Sequence, residues 1–315
     1  MAEKIATRVA YGTALAEIGS DTHIIVLDAD LSKSTRTDLF RKKYPERHFN
    51  MGIAEANMMA VAAGLATCGK IVFASTFAMF AAGRAFDQIR NSIGYPRLNV
   101  KICATHAGIT VGEDGASHQA IEDIALMRAI PGMTVISPCD GPSTAALVRA
   151  AAIMNGPVYM RLGRLDVPVL HSDATVFEIG KSVTLREGTD LTFIANGFMV
   201  AAALEAAGTL QSEGISARVI DLHTIKPIDK DAILAAARET GAIVTAEEHN
   251  VMGGVGSAVA EVVVTGCPVP MQLAGIEDVF GKSGKPADLI IKYGLTAETL
   301  VRKAKAALAM KHAGN

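Results

Sequence analysis

The stretch "HIIVLDAD", residues 23–30, decides the fold class of this chain. It is typical of a strand that is apolar on both faces and ends in acidic residues. Strands of this kind occur in parallel sheets that helices cover on both sides. Similar stretches recur in the first half of the chain, at residues 70–76, 99–106, 133–140 and 157–162.

Helical patterns separate these strands, near residues 4–19, 53–67, 78–94, 118–129 and 141–154. Alternating strands and helices predict an α/β domain with right-handed crossovers. Residues 163–190 break the alternation because they have little helical periodicity. We interpret this segment as a linker that carries an edge strand or a hairpin.

A second α/β unit follows the linker. Its predicted strands lie at 191–197, 217–223, 242–248 and 269–276, and its predicted helices near 198–213, 229–238, 255–264 and 296–310. We therefore predict two α/β domains, the first at residues 1–170 and the second at 185–315.

The composition narrows the class of protein. Half of the 315 residues are apolar and a fifth are charged, which suits large buried cores. A net charge of −2 does not favour nucleic acid or an anionic membrane as partner. The sequence shows no transmembrane-length apolar run and no signal peptide, so we expect a cytoplasmic protein. The four cysteines are far apart and form no CxxC pair, which predicts reduced thiols and no metal site.

Polar segments follow four of the predicted strands, at residues 28–34, 76–80, 105–119 and 161–164. Ligands of open α/β sheets bind at the carboxyl ends of the strands. The sequence therefore predicts a functional cleft at this edge of the first sheet.

The longest of these segments contains the glycine-rich stretch "GITVGEDG", residues 108–115. It resembles a phosphate-binding loop but lacks the P-loop lysine. We interpret it as an active-site loop, with His106 and His118 on either side. A Ser-His-Asp hydrolase is disfavoured because no G-x-S-x-G elbow occurs.

Glu55 is the only carboxylate in the run "NMGIAEANMMAVAAGLA", residues 50–66, and the run contains no Lys or Arg. Burying an ionised carboxylate costs several kcal/mol unless it is paired. One interpretation is a ligand contact in apolar surroundings. The other is a glutamate at a helix N-terminus, where the macrodipole contributes ~0.3–1 kcal/mol at an exposed site.

Taken in order, these motifs resemble the carboxy-terminal half of transketolase. The matching stretches of the first domain are "ATRVAYG" (6–12), "DADLSKS" (28–34), "GIAEANM" (52–58), "ASTFAMF" (74–80), "THAGITVGEDGASHQAIEDIALMRAIPGM" (105–133) and "MRLGR" (160–164). In the second domain, "DLHTIKPID" (221–229) and "EEHNVMGGVGSAV" (247–259) resemble the family's C-terminal domain. The resemblance covers nearly the whole chain and implies a thiamine-diphosphate enzyme with a pyrimidine-binding domain.

The resemblance also implies roles for individual residues. Glu55 is expected to hydrogen-bond N1′ of the cofactor's aminopyrimidine and to exchange a proton with it. Phe77 and Phe80 resemble aromatic residues that pack on this ring. The family often has a third aromatic where this chain has Gly83, and Phe86 is a candidate substitute.

Other positions correspond to the family's substrate contacts. Asp30 resembles a residue near the thiazolium, His118 a histidine beside the reactive carbonyl, and Asp114 a residue that reads a sugar hydroxyl. The resemblance implies a phosphate-binding group at Arg8, Ser34, His106 and Arg164, with Arg161 as the alternative to Arg164. Arginine suits phosphate because its planar fork donates two parallel hydrogen bonds.

One part of the transketolase pattern is absent from this sequence. The family's diphosphate-binding domain carries GDG followed by NN, whose Asp and Asn hold Mg²⁺, and no such pair occurs here. We therefore expect a separate N-terminal-half subunit to hold the metal and most of the diphosphate, in an α2β2 assembly. The small residues at 60–66 suit either contact with that subunit or ordinary helix packing.

The leading hypothesis is thus a subunit of a split transketolase that moves a two-carbon ketol unit from a ketose phosphate to an aldose. Two alternatives use the same cofactor: the β subunit of a 2-oxo acid dehydrogenase and a relative of deoxyxylulose-phosphate synthase. "RAFDQI" (84–89) favours the second of these. A further alternative is a non-catalytic regulatory module of the same fold.

Overall fold

The structure, a computed structural model, describes residues 3–172 and 174–313. Within these ranges the strands form a seven-stranded, a five-stranded and a two-stranded sheet. The two larger sheets are the centres of two α/β domains, which confirms the predicted fold class.

The first part of the chain contains strands β1 (Lys4–Ala6), β2 (Ile24–Asp28), β3 (His48–Asn50), β4 (Ile71–Phe77), β5 (Val100–Thr105), β6 (Thr134–Ile136), β7 (Val158–Arg161) and β8 (Asp166–Pro168). Its helices are α1 (Thr7–Ile18), α2 (Ser32–Thr35), α3 (Asp38–Lys43), α4 (Glu55–Thr67), α5 (Phe86–Gln88), α6 (Asp123–Ala129) and α7 (Gly141–Ile153). Two 3-10 turns lie at Pro45–Arg47 and Ile109–Val111, and two π-helical segments at Phe80–Arg84 and Ile89–Gly94.

The second part contains strands β9 (Val183–Arg186), β10 (Leu191–Ala195), β11 (Ala217–Asp221), β12 (Thr224–Lys226), β13 (Ile243–Asn250) and β14 (Met271–Ile276). Its helices are α8 (Met199–Ser212), α9 (Lys230–Thr240), α10 (Val255–Gly266), α11 (Pro286–Lys292) and α12 (Ala297–Ala313).

The seven-stranded sheet has the order β12-β6-β7-β5-β4-β2-β3. All neighbours from β6 to β3 pair in parallel. The carboxyl ends of β2, β4, β5 and β7 therefore lie along one edge of the sheet. Helix α4 buries Met58, Met59 and Ala62 in the core on one face, and α1 buries Tyr11 and Leu15 in a separate cluster.

The two domains are joined by strand pairing as well as by the linker. β12 comes from the second part of the chain but pairs antiparallel with β6 at the edge of the first sheet. The five-stranded sheet has the order β14-β13-β10-β11-β9, and β9 is its antiparallel edge strand. The edge strand expected in the linker segment is thus confirmed.

The structure departs from the predicted elements where distant segments pair. Residues 4–6 were expected to begin a helix, but they form β1, which pairs antiparallel with β8. Residues 118–122 lie outside α6, and Gln119 Nε2 instead donates to the carbonyls of Ile109 and Lys282. The strand expected at 133–140 is shorter and ends at Ile136, and the Ser137 N–H beyond it donates to the His223 carbonyl. Local periodicity does not report such long-range partners.

Within the part of the chain that the structure describes, no helix combines the length and the apolar character needed to cross a membrane.

Candidate active site

The four polar segments expected to share one edge of the sheet do so. They follow β2, β4, β5 and β7, which are consecutive parallel neighbours in the sheet. The parallel pairing alone places their loops side by side.

Glu55 is the first residue of α4, and its side chain is only 1% exposed. Its partner is Arg84 of the π-helical segment, whose Nη1 donates to both carboxylate oxygens at 2.9 Å. The interpretation that Glu55 lies in apolar surroundings was therefore wrong, because Arg84 reaches it from outside residues 50–66. The Arg84 side chain is 52% exposed, so only one end of this ion pair is buried.

An aromatic cluster lies beside this pair. The rings of Phe77 and Phe80 are stacked, with centroids 5.9 Å apart. His106 stacks on Phe77 at 3.9 Å, and His118 meets the ring of Phe80 edge-on at 5.2 Å. The Arg84 guanidinium lies over the Phe80 ring, 4.6 Å from its centroid. The structure thus brings together the residues that the resemblance assigns to the pyrimidine and to the reactive carbonyl.

The position of the missing third aromatic is not filled by Phe86. Phe86 begins α5 and packs against the hydrophobic core that contains α4. Gly83 is exposed, and a Cβ added there would lie 2.6 Å from Met79 Cε.

His106 is held in a left-handed conformation at φ 57° directly after β5. Its Nδ1 lies 2.9 Å from Thr105 Oγ1. Burial lowers the pKa of His106 to about 3, and the cations Arg8 and Arg164 act in the same direction. The imidazole is therefore neutral near pH 7 and can donate from one nitrogen only.

The glycine-rich loop is braced by the second domain. Glu248 Oε1 accepts a 2.7 Å hydrogen bond from the Thr110 N–H. Gly108 lies at φ 81° against this carboxyl group, and a Cβ there would be 2.1 Å from Glu248 Cδ. Burial raises the pKa of Glu248 to about 7, although Arg161 opposes the shift. Sequence reasoning missed this residue, since "EEHN" indicated only a likeness and no role.

Arg161 is committed to a buried network and does not suit the alternative phosphate role. Its Nε donates to both oxygens of Asp123, at 3.1 and 2.9 Å. Its Nη2 donates to the carbonyls of Ala120 and Glu248. Arg161 therefore joins α6, the loop before it and the second domain.

The residues expected to bind phosphate lie close to one another. Arg8 Nη1 donates to the Ser34 carbonyl at 2.8 Å, and Arg164 donates to the Val111 carbonyl. Burial lowers the pKa of Arg8, and the charges of Arg36 and Arg164 lower it further. Cations therefore gather here, and sequence reasoning had missed Arg36. The Nε atoms of Arg8 and Arg36 are buried without a hydrogen-bond partner among the described residues.

Two assigned residues lie at the margin of this cluster. Asp30 has φ 65°, and its Oδ1 accepts from Asn50 Nδ2 at 2.7 Å. Asp114 is exposed between Gly112 and Gly115, both at positive φ. The structure brings Asp30 close to β3 and leaves Asp114 at the tip of the loop.

A second polar cluster joins the linker to both domains. Ligand atoms of Cys139, Asp140 and His171 lie within 4.8 Å of one another. However, the Asp140 carboxylate already accepts backbone N–H groups of Ser143 and His171. Burial also raises the pKa of the Cys139 thiol. We therefore interpret this cluster as a hydrogen-bonded junction.

Comparisons with known proteins agree with this geometry. The family model of the transketolase pyrimidine-binding domain matches residues 3–169, and that of the transketolase C-terminal domain matches 180–300. The chain is similar to the putative transketolase C-terminal section of Methanocaldococcus jannaschii, with 51% identity over 300 residues and 94% of each chain covered.

Two further comparisons concern transketolase subunits. The 6-deoxy-6-sulfo-D-fructose transketolase subunit SqwH of Clostridium sp. is 45% identical over 284 residues, covering 90% of this chain and 88% of that one. A solved structure described as a split gene transketolase, inactive beta4 tetramer, is 58% identical with a TM-score of 0.92. The alignment covers 98% of this chain and 99% of the chain in that structure.

The chain therefore belongs to the transketolase family and corresponds to its pyrimidine-binding and C-terminal domains. These relatives support the predicted subunit of a split transketolase. They do not favour the 2-oxo acid dehydrogenase or the deoxyxylulose-phosphate synthase alternative.

Proposed function

We propose that this chain is a catalytic subunit that transfers a two-carbon ketol unit from a ketose phosphate to an aldose, with thiamine diphosphate and Mg²⁺. The observation that carries the proposal is the buried Glu55 carboxylate at the start of α4, beside the ring of Phe80 in a chain of this family. A regulatory module would not need a buried carboxylate at this place.

The residues present fit the pyrimidine half of the cofactor. Glu55 would hold its N1′ atom, and Phe77 and Phe80 would pack on the ring. When bound, thiamine diphosphate supplies the nucleophilic carbon and stabilises the charge left by carbon–carbon bond cleavage. Glu55 is the group of this chain that holds or releases a proton at the ring. Phe77, which is 8% exposed, excludes water from one side of the site.

The cations gathered around Arg8 support a substrate with a terminal anionic group. Arg8, Ser34, His106 and Arg164 would bind it, and the charge of Arg36 beside Arg8 adds to the attraction for an anion. His118 would contact the reactive carbonyl, Asp30 the thiazolium and Asp114 a sugar hydroxyl. One relative is named for a sulfonated ketose, so a sulfonate is the second candidate for this group.

A separate subunit would supply the diphosphate and metal site, in an α2β2 assembly located in the cytoplasm. Relatives named as a C-terminal section and as a split gene product support a separate partner. Helix α4 also exposes Asn57, Ala60 and Gly64 along one side, next to Ile53, which is 78% exposed. This surface adjoins Glu55 and is our candidate contact. The domain division at 1–170 and 185–315 stays part of the proposal.

The test is reconstitution. The chain would be purified with its co-expressed partner, titrated with thiamine diphosphate and Mg²⁺, and assayed with phosphorylated, sulfonated and uncharged ketoses. Glu55→Ala should abolish ketol transfer while the circular dichroism spectrum is retained. Glu46→Ala, at an exposed residue outside the cleft, is the matched control and should keep wild-type turnover. Wild-type turnover of Glu55→Ala would refute the role of this carboxylate.

A further inference from the structure

We propose that in the free chain the guanidinium of Arg84 occupies the binding position of the cofactor's aminopyrimidine, and that it leaves this position when the cofactor binds. The inference rests on the proposed function, because it assigns a competitor to the ring that Glu55 and Phe80 would bind.

Two contacts of one planar group carry this inference. Arg84 Nη1 donates to both oxygens of Glu55 at 2.9 Å. The central carbon of the same guanidinium lies 4.6 Å from the centroid of the Phe80 ring. A flat nitrogen heterocycle that hydrogen-bonds Glu55 and stacks on Phe80 needs the same acceptor and the same aromatic surface. The arginine side chain therefore reproduces the recognition of that ring from within the protein.

The two occupants exclude each other. Both oxygens of Glu55 are already engaged by Arg84, and the carboxylate is only 1% exposed. Phe80 is flanked on its other contacts by Phe77 and His118, so little of its ring remains for a ligand. A ring that enters must displace the guanidinium from the carboxylate, from the aromatic surface, or from both.

Arg84 has the freedom to leave. Its side chain is 52% exposed, and its hydrogen bonds to described residues are only those to Glu55. Solvent screens a half-exposed ion pair, so the cation is held less strongly than in a fully buried pair, and it regains hydration when it moves into water. The apparent affinity for the cofactor is then the intrinsic affinity multiplied by the fraction of molecules in which this binding position is free.

The experiment compares Arg84→Met with Arg90→Met. Arg90 is an exposed arginine of the next π-helical segment, and among the described residues its side chain donates only to the Asn91 side chain. Calorimetry would measure the Kd for thiamine diphosphate, with Mg²⁺ present, on the chain assembled with its partner. If the binding position is free in about a tenth of wild-type molecules, Arg84→Met should bind thiamine diphosphate about tenfold more tightly than the wild type. Arg90→Met should bind as the wild type does.

Two readouts on the chain alone complete the test. Arg84→Met should have a lower melting temperature, because Glu55 loses its cation. It should also bind 4-amino-5-hydroxymethyl-2-methylpyrimidine, the pyrimidine half, more strongly than the wild type in ligand-observed NMR. Tighter ligand binding in a less stable protein is the signature of a displaced competitor, since a structural arginine would lower both. Arg84→Lys keeps the positive charge but loses the planar guanidinium. Its affinity for the pyrimidine should therefore lie between those of the wild type and Arg84→Met.

Unchanged or weaker binding of the cofactor by Arg84→Met, or equal fragment signals in both proteins, overturns this inference and leaves the proposed function in place. Arg84→Lys binding more weakly than the wild type would also overturn it. Failure of the wild-type assembly to bind thiamine diphosphate at all would instead refute the proposed function.

Discussion

Replacing Glu248 by Gln tests whether an ionisable group of the second domain controls the glycine-rich loop. Glu248 Oε1 accepts from the Thr110 N–H at 2.7 Å. Gln keeps the size of the side chain and a carbonyl oxygen for this bond, but it does not ionise. The difference in unfolding free energy between variant and wild type therefore isolates the ionisation of one carboxyl group.

The sign and size of the effect follow from the raised pKa. Burial raises the pKa of Glu248 from 4.5 to about 7. Between these pH values the unfolded chain binds fewer protons at this residue than the folded chain does. The stability that Glu248 contributes is thus fully present below the lower pKa and is lost as pH rises through about 7. The largest loss is about 3 kcal/mol.

Urea unfolding followed by circular dichroism, at about pH 4.5, 6 and 8, would measure this difference. The Glu248→Gln variant should gain on the wild type by up to about 3 kcal/mol across this range. Taking the difference cancels the other titrating groups, which both proteins share. Glu248→Leu is the control, because it also cannot ionise but leaves the Thr110 N–H unpaired, so it should be about 1–3 kcal/mol less stable than Glu248→Gln at every pH. A Gln-minus-wild-type difference that does not change with pH would refute the reasoning.

Three further changes test other contacts. Arg164→Ala should raise KM for phosphorylated sugars about 10- to 100-fold, because charge-assisted hydrogen bonds contribute ~1.5–3 kcal/mol. Equal effects on unphosphorylated sugars in a steady-state assay would contradict the anion site. Arg161→Met should lower the free energy of unfolding by about 3–5 kcal/mol, because it leaves Asp123 buried without its cation; a loss below about 1 kcal/mol in urea would argue against that pairing. Gly108→Ala should reduce kcat with little change in secondary structure, because its Cβ would lie 2.1 Å from Glu248 Cδ and displace the loop; normal turnover would show that the loop adjusts freely.

Sequence patterns correctly predicted the edge of the sheet at which the polar segments meet, because they predicted the strands that precede these segments. Stretches that are apolar on both faces are informative about parallel strands, and consecutive parallel strands place their carboxyl ends together. Phe77 ends β4, Phe80 comes shortly after it, and His106 and His118 come after β5. Their assembly into one ring cluster therefore needed only the correct order of strands.

The residues that sequence reasoning missed all act over long distances along the chain. Arg84 reaches Glu55 across 29 residues, and Glu248 reaches Thr110 across 138. Arg161 was considered for phosphate because it shares a motif with Arg164, but β7 directs it into the buried network around Asp123. The spacing of two arginines in a motif does not show which parts of the fold their side chains will contact.

By itself, the sequence determined the α/β class and the edge of the sheet that holds the polar loops. It did so because hydrophobic periodicity and strand order are local properties of a chain. Only the tertiary structure decided which charges meet: the cation on Glu55, the carboxyl group under Gly108 and the antiparallel strand β12 that joins the domains. The physical reason is that these contacts depend on which surfaces pack together. The low dielectric at a packed surface strengthens the electrostatic interactions there.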